Sequence, residues 1–187
     1  YIAALDIGSN SFHFVYARLQ NDNLQVLYKE KYQVKLAQGL DANDQLDKPA
    51  INRGVNALKK LSSTVQHLTS DNFRVVATYT LRQAKNADQF ITEAAKVFPF
   101  DIEVISGHEE ARLIYQGVAY YSDPHQQRLV IDIGGGSTEC VIGKKFTVKT
   151  LASLPIGCVS FQQRFFTQGK INRASFEQAI WAAKLEI

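Results

Sequence analysis

A short motif occurs twice in this chain of 187 residues, and the repeat constrains the fold more than any other feature of the sequence. Asp6-Ile7-Gly8-x-x-Ser11 recurs as Asp132-Ile133-Gly134-x-x-Ser137, with one common offset, since 132 minus 6 and 137 minus 11 are both 126. Each copy ends one apolar run and begins another. The repeat predicts two related halves, each built around a strand–turn–strand unit.

A glycine- and serine-rich turn between two strands is typical of a phosphate-binding loop. Glycine lets the backbone approach a ligand closely, and successive amide groups in such a turn form an anion-binding concavity. Two such loops facing each other would clamp a phosphate chain from both sides. Two ordinary hairpin turns are the alternative, which the matching strand context of the copies disfavours. The candidate loop residues are Gly8, Ser9, Asn10 and Ser11 in the first copy, and Gly134, Gly135, Gly136, Ser137 and Thr138 in the second.

Carboxylates flank both loops. Asp6 precedes the first loop, Asp132 precedes the second, and Glu139 follows the second on the returning strand. Mg²⁺ prefers one or two carboxylates together with substrate phosphate oxygens. Because Asp132 and Glu139 lie on two strands joined by a tight turn, both can approach one site, and we predict that they hold the metal. We expect Asp6 to contribute to substrate binding; the alternative is that it caps its own turn.

The rest of the pattern alternates strands with helices. A helix is expected to begin at Asp47, with Pro49 in its first turn and an apolar stripe from Ile51 to Leu68. Asp123-Pro124 marks the expected boundary between domains 1–123 and 124–187. The predicted strands are 1–7, 12–19, 24–28, 32–36, 73–78, 102–105, 128–132, 139–142 and 146–151, and the predicted helices are 47–68, 86–98, 106–121 and 173–187.

Composition excludes several classes of protein. The formal net charge of +3, from 21 basic and 18 acidic residues, is too small to predict a nucleic-acid-binding surface. The two cysteines, Cys140 and Cys158, show no spacing typical of a zinc site. No apolar stretch reaches the roughly 20 residues of a transmembrane helix, and no signal peptide is visible, so the expected compartment is the cytoplasm.

Five segments together resemble one known family. Asp6–Ser11 and Asp132–Glu139 look like the two phosphate loops of the exopolyphosphatase and guanosine-pentaphosphate phosphohydrolase family. Thr80–Ala84, Ser106–Arg112 and Pro155–Val159 are similar to its other N-terminal signatures. The resemblance covers nearly the whole chain and follows the order of the family's motifs.

This resemblance implies an α/β fold with two ribonuclease-H-like domains around a cleft, as in the acetate and sugar kinase, Hsp70 and actin superfamily. The family's second domain continues beyond the point at which this sequence stops, so residues 124–187 are expected to form only its first part. The resemblance also implies an Mg²⁺-dependent hydrolase that removes terminal phosphate from inorganic polyphosphate or guanosine pentaphosphate, and it is compatible with a homodimer.

Two further site residues come from the resemblance. Glu110 matches the family's catalytic glutamate and is the candidate general base; on the residues alone, it complements the positive end of a helix. Arg82 is the candidate phosphate clamp, and a solvated arginine is the alternative. Ser106 and Glu109 are expected to form a capping box, and Arg112 to be an ion-pair or surface residue. A kinase of the same superfamily and a non-catalytic polyphosphate or nucleotide sensor remain open as other functions.

Overall fold

The computed structural model describes residues 1–21, 23–166 and 169–187. Their contacts divide the chain into two compact units, Tyr1–Ile105 (unit 1) and Ser106–Ile187 (unit 2). The division comes earlier than the expected boundary at 123/124. The reason is that the helix Gly107–Tyr120, which the sequence appeared to place at the end of the first domain, packs against the strands that follow it.

Unit 1 is a five-stranded mixed sheet with helices against one face. The strand order is β3-β2-β1-β4-β5; β1, β4 and β5 pair in parallel, whereas β2 pairs antiparallel with both β1 and β3. Its elements are β1 (Ile2–Ile7), β2 (Ser11–Gln20), β3 (Asn23–Gln33), a 3₁₀ turn (Leu36–Gly39), α1 (Lys48–Ser62), β4 (Phe73–Ala77), α2 (Tyr79–Gln83), α3 (Ala87–Ala95) and β5 (Glu103–Val104).

Helix α1 covers the buried face of this sheet. The Asp47 side chain caps it by accepting a hydrogen bond from the Ala50 amide at 2.7 Å, and Pro49 occupies the first turn, as predicted. The helix ends at Ser62, before the predicted end of its stripe. Val65 and Leu68 nevertheless stay buried in the turns that follow, so the predicted core positions survive although the helix is shorter.

Strand β3 differs from the sequence prediction. Two strands, 24–28 and 32–36, were expected, but one continuous strand runs from Asn23 to Gln33. The charged Lys29-Glu30-Lys31 run does not interrupt it, because β3 is an edge strand and exposed charges are tolerated there. The turn predicted at 21–23 has Asn21 at φ 50°, and Asp22 lies outside the described residues.

Unit 2 is a three-stranded antiparallel sheet of order β6-β7-β8. Helix α4 packs on one of its faces, where the buried Ala111, Tyr115 and Ala119 contact Val130 and Val141. Its elements are α4 (Gly107–Tyr120), β6 (Gln127–Ile133), β7 (Thr138–Lys144), β8 (Thr147–Leu154), α5 (Cys158–Phe165) and α6 (Arg173–Glu186).

Strand β6 lies at the edge of this sheet. Among the described residues it pairs only with β7. On the face opposite α4, Leu129, Ile131 and Ile133 are 59%, 55% and 68% exposed. The strand therefore presents both a free edge and an apolar row.

Helices α2 and α5 were not foreseen from the sequence. They have five and eight residues, too few for an apolar period to become visible. Across residues 1–21, 23–166 and 169–187, no helix combines the length and apolarity that a membrane span needs.

The packing of α1 on the sheet is testable. Leu58→Ala removes a side chain with no exposed surface, and we expect it to lower the free energy of unfolding by about 2–5 kcal/mol. Lys59→Ala, on the exposed side of the same helical turn, should change it by less than about 0.5 kcal/mol. Urea denaturation of both variants measures the difference, and equal effects would contradict the assigned face of α1.

Candidate functional site

The two copies of the repeated motif form turns of the same shape. Loop 1 (residues 8–11) joins β1 to β2, and loop 2 (residues 134–138) joins β6 to β7. An ideal Cβ on Gly8 would lie 2.8 Å from the Ser11 carbonyl oxygen, and one on Gly134 would lie 3.0 Å from the Ser137 carbonyl oxygen. A larger residue would therefore press on backbone at the same point of either turn. The sequence repeat thus corresponds to a repeated backbone structure.

Loop 2 is held from behind by the start of α5. The carbonyls of Gly134 and Gly135 accept hydrogen bonds from the first three amides of α5, at 2.8–3.1 Å. In contrast, the amides of residues 135–137 donate to no other residue that the structure describes. Because the carbonyls are engaged with α5 and the amides are not, the loop offers donors rather than acceptors to a ligand.

Loop 1 is held in the same way by the segment after β3. The Ser9 carbonyl accepts from the Ala37 amide at 2.9 Å, and the Asn10 carbonyl accepts from the amides of Val34 and Lys35 at 3.2 and 2.8 Å. Both loops therefore have their carbonyls bound by the segment that follows their third strand. This arrangement favours an anion as the ligand of each loop.

Two buried serine hydroxyls belong to loop 1. The Ser9 hydroxyl accepts a 2.8 Å hydrogen bond from Thr80, which lies in α2. The Ser11 hydroxyl is buried and has no hydrogen-bond partner among the described residues. Leaving a hydroxyl buried and unsatisfied costs about 1–3 kcal/mol. A phosphate oxygen accepting from Ser11 would remove that penalty.

Arg82 lies in α2 with Thr80, the residue that contacts loop 1. Its Nη1 donates to the Ile105 carbonyl at 2.9 Å, and its guanidinium lies 5.9 Å from the centre of the Tyr79 ring. The side chain is half-buried and oriented by these contacts. The planar guanidinium has the fork of N–H donors that suits the geometry of a phosphate group.

Asp6 and Asp132 occupy the equivalent strand ends, as the repeat predicts. The Asp6 Oδ2 is 3.6 Å from the position that a Cβ on Gly8 would take, so this carboxylate lies directly beside loop 1. Asp132 pairs in register with Glu139 across β6 and β7, so the two side chains share a face of the sheet. Glu139 is 1% exposed and accepts a 2.8 Å hydrogen bond from the Ser153 hydroxyl.

The Asp132–Glu139 pair fits Mg²⁺. No cluster of three or more histidine, cysteine, aspartate or glutamate side chains able to hold a metal occurs in the described part of the chain. Mg²⁺ does not require such a cluster, because this ion binds one or two carboxylates and completes its coordination shell with water and phosphate oxygens. Two carboxylates beside a phosphate loop supply such a donor set.

The first turn of α4 separates the roles of two adjacent glutamates. Ser106 caps the helix as predicted, by accepting from the Glu109 amide at 3.1 Å. The carboxylate of Glu109 does not complete the expected capping box; it forms a bidentate ion pair with Arg112 at 2.6 and 2.7 Å. Hydrogen bonding from Arg112 lowers the pKa of Glu109, which keeps it ionised. Glu110 follows in the same turn and is half-buried.

Two contacts that anchor loop 2 could not be read from the sequence. The Thr138 hydroxyl, predicted to bind substrate, donates to the Ile156 carbonyl and so fixes the loop. Gly157 packs against the loop so closely that an ideal Cβ would lie 2.4 Å from both the Gly135 carbonyl oxygen and the Gly136 Cα. Pro155-Ile156-Gly157 stood out in the sequence, but no periodicity could reveal that this segment supports a distant turn.

These features define a class: an α/β protein of two units, each of which carries a glycine- and serine-rich loop between the first two strands of its sheet. The chain belongs to the Ppx/GppA phosphatase family, whose model matches residues 15–186. It is 51% identical over 178 residues to a putative exopolyphosphatase of Haemophilus influenzae, covering 95% of this chain and 55% of that protein.

Two further comparisons agree. The guanosine-5'-triphosphate,3'-diphosphate pyrophosphatase of Aeromonas hydrophila is 47% identical over 182 residues, covering 97% of this chain and 37% of that protein. The solved structure of the Aquifex aeolicus PPX-GPPA enzyme superimposes with a TM-score of 0.79 at 30% identity, covering 99% of this chain and 62% of that one. The chain thus spans about a third to a half of the length of these curated relatives.

The support of loop 2 by α5 predicts a specific glycine effect. Gly157→Ala should displace loop 2, lower the free energy of unfolding by about 1–3 kcal/mol and weaken phosphate binding, because its Cβ would meet rigid backbone. Gly117→Ala is the matched control: this helical glycine has nothing within 4 Å of an added Cβ. It should stabilise the protein by about 0.5–1 kcal/mol.

Thermal unfolding and phosphate titration of both variants measure these effects. A Gly157→Ala protein with unchanged stability and phosphate affinity would show that α5 does not fix the loop.

Proposed function

We propose that this protein hydrolyses the terminal phosphoanhydride bond of inorganic polyphosphate or guanosine pentaphosphate and releases orthophosphate. The observation that carries this proposal is the repeated loop, which in both units has its carbonyls bound from behind and, in loop 2, its amides available to a ligand. Membership of the Ppx/GppA family and the activities named for the relatives support the same substrates. We further propose that the protein acts in the cytoplasm as a homodimer.

In the proposed reaction, the loops bind oxygens of the phosphate chain. Amides 135–137 of loop 2 and the Ser11 hydroxyl of loop 1 donate hydrogen bonds, and the guanidinium of Arg82 adds a positive charge. Each set of donors neutralises negative charge on the phosphate oxygens that it contacts. Since phosphoryl transfer depends mainly on positioning and charge stabilisation, such donors account for most of the required catalysis.

Glu110 is the proposed general base. It orients a water molecule and accepts its proton at a carboxylate oxygen as the water attacks phosphorus in line with the leaving oxygen. Glu109 is unsuited to this task, because its carboxylate is bound on both oxygens by Arg112. The ion pair also removes the adjacent carboxylate as a competing base.

Asp132 and Glu139 would hold Mg²⁺, which when bound supplies charge neutralisation on the substrate phosphates. Ser153 orients the Glu139 carboxylate by donating to it, and the register of β6 and β7 keeps the two carboxylates on one face. The two residues thus present oxygen ligands from adjacent strands.

The assignment of the base is tested by Glu110→Gln. We expect turnover to fall at least about a hundredfold while substrate affinity stays within a few fold, because the amide cannot accept the proton but keeps the shape of the side chain. Glu109→Gln is the matched control and should retain turnover. Phosphate release from long-chain polyphosphate and from guanosine pentaphosphate, with Mg²⁺ present, gives the readout.

Full turnover by the Glu110→Gln variant would refute the role of this residue. If the unmodified protein released no phosphate from either substrate but bound both, a sensor would be indicated. Transfer of phosphate from ATP to an acceptor would instead indicate a kinase.

The metal assignment has its own test. Combining Asp132→Asn with Glu139→Gln should weaken Mg²⁺ binding by about tenfold or more, because both anionic ligands are lost. Calorimetric titration of Mg²⁺ in the presence of tripolyphosphate, in a Glu110→Gln background that prevents turnover, measures the change. Glu177→Gln, which removes a surface carboxylate paired with Arg173 in α6, is the control and should leave Mg²⁺ affinity unchanged.

A further inference from the structure

A second cationic feature lies on unit 1, at the edge where β3 meets α1. A groove of about 400 Å³ is lined by the end of β3 and by one face of α1. Lys31 and Gln33 contribute from the strand, and Arg53, Asn56 and Lys60 contribute from the helix at successive turns. Its volume falls within the range of about 300–1,000 Å³ typical of small-molecule sites.

The charged residues that line the groove are all cations. None of Lys31, Arg53 and Lys60 forms an ion pair with a residue that the structure describes. The neighbouring carboxylate, Glu30, does not itself line the groove; it accepts a hydrogen bond from the Tyr28 hydroxyl at 3.1 Å and, together with burial, raises the pKa of Tyr32, which does line the groove. Three cations beside this one carboxylate leave an excess of positive charge at the groove, which an anion would neutralise.

Arg53 is held in place for a ligand. Its Nε donates to the Val34 carbonyl at 2.9 Å and its Nη2 donates to the Lys35 carbonyl at 3.0 Å. The remaining N–H groups, including both on Nη1, form no hydrogen bond with another described residue. A guanidinium whose orientation is already fixed loses less conformational entropy when it binds phosphate.

The same contacts connect the groove to loop 1. The amides of Val34 and Lys35, whose carbonyls bind Arg53, both donate to the Asn10 carbonyl in loop 1. Groove and loop thus share one two-residue backbone segment. An anion that binds Arg53 also acts on the segment that holds loop 1.

We propose that this groove is a second phosphate-binding site, distinct from loops 1 and 2, and that it takes a chain of linked phosphates. Arg53 and Lys60 are seven residues apart on α1, which separates their Cα atoms by about 10 Å along the axis. A linear polyphosphate segment covers that distance, and a single phosphate ion does not. The occupant is either the distal part of a long substrate chain or a separate short polyphosphate.

The test is a binding experiment without turnover, so it is independent of the proposed hydrolase activity. Tripolyphosphate is titrated into the purified ¹⁵N-labelled protein in EDTA, and amide chemical shifts are followed by NMR. We expect shifts at residues 31–34 and 53–60, and little response to monophosphate at the same ionic strength. Lys31→Gln combined with Lys60→Gln should weaken this binding by about tenfold, as expected for losing at least one charge-assisted hydrogen bond.

The matched control is Lys29→Gln combined with Lys59→Gln. It makes the same change in net charge on the same strand and helix, but neither residue lines the groove. The control should bind tripolyphosphate within about twofold of the unmodified protein, and melting curves confirm that both variants are folded. Equal weakening by the two double variants, or the absence of shifts in both stretches, would overturn the proposal.

Long-chain polyphosphate identifies the source of the ligand. If groove amides and the amides of residues 8–11 saturate together at one chain per protein, the occupant is the distal part of a substrate chain. If each protein binds tripolyphosphate in the groove and a long chain elsewhere at the same time, the occupant is a separate anion. Either result supports the site.

Discussion

Loops 1 and 2 both depend on the hydrogen bonds that hold their backbone carbonyls. A glycine- and serine-rich turn has many accessible conformations, and most of them would turn some carbonyls towards a ligand. In this protein the segment after the third strand of each unit binds those carbonyls, at Ser9 and Asn10 in unit 1 and at Gly134 and Gly135 in unit 2. Residues about 25 positions further along the chain thus determine that each loop favours an anion as its ligand.

Side-chain hydrogen bonds also fix parts of the candidate site, because several polar side chains bind protein atoms rather than solvent. Thr138 donates to Ile156, Thr80 donates to Ser9, and Ser153 donates to Glu139. Each of these bonds fixes either a loop or a carboxylate that we propose to contact phosphate or metal. Such supporting contacts keep reactive groups within the small tolerance that phosphoryl transfer demands.

Much of this arrangement could be predicted from the sequence, because the decisive signals were local. The motif repeat, the Asp47 cap and the alternating strands all depend on residues close together in the chain, and the structure contains each of them. The continuity of β3 was not predictable, because only its edge position makes a charged run acceptable. Glu109 pairs with Arg112 instead of completing the expected capping box. The local sequence allows both arrangements and does not indicate which one is more stable.

Asp132 has a consequence beyond its proposed role with the metal. It interrupts the run Leu129-Val130-Ile131-Asp132-Ile133 on a strand whose outer edge is unpaired among the described residues and whose apolar row is exposed. Such segments pair readily with copies of themselves, and a charge placed within them opposes that association. A carboxylate at this position therefore opposes such pairing, in addition to the metal-binding role that we propose for it.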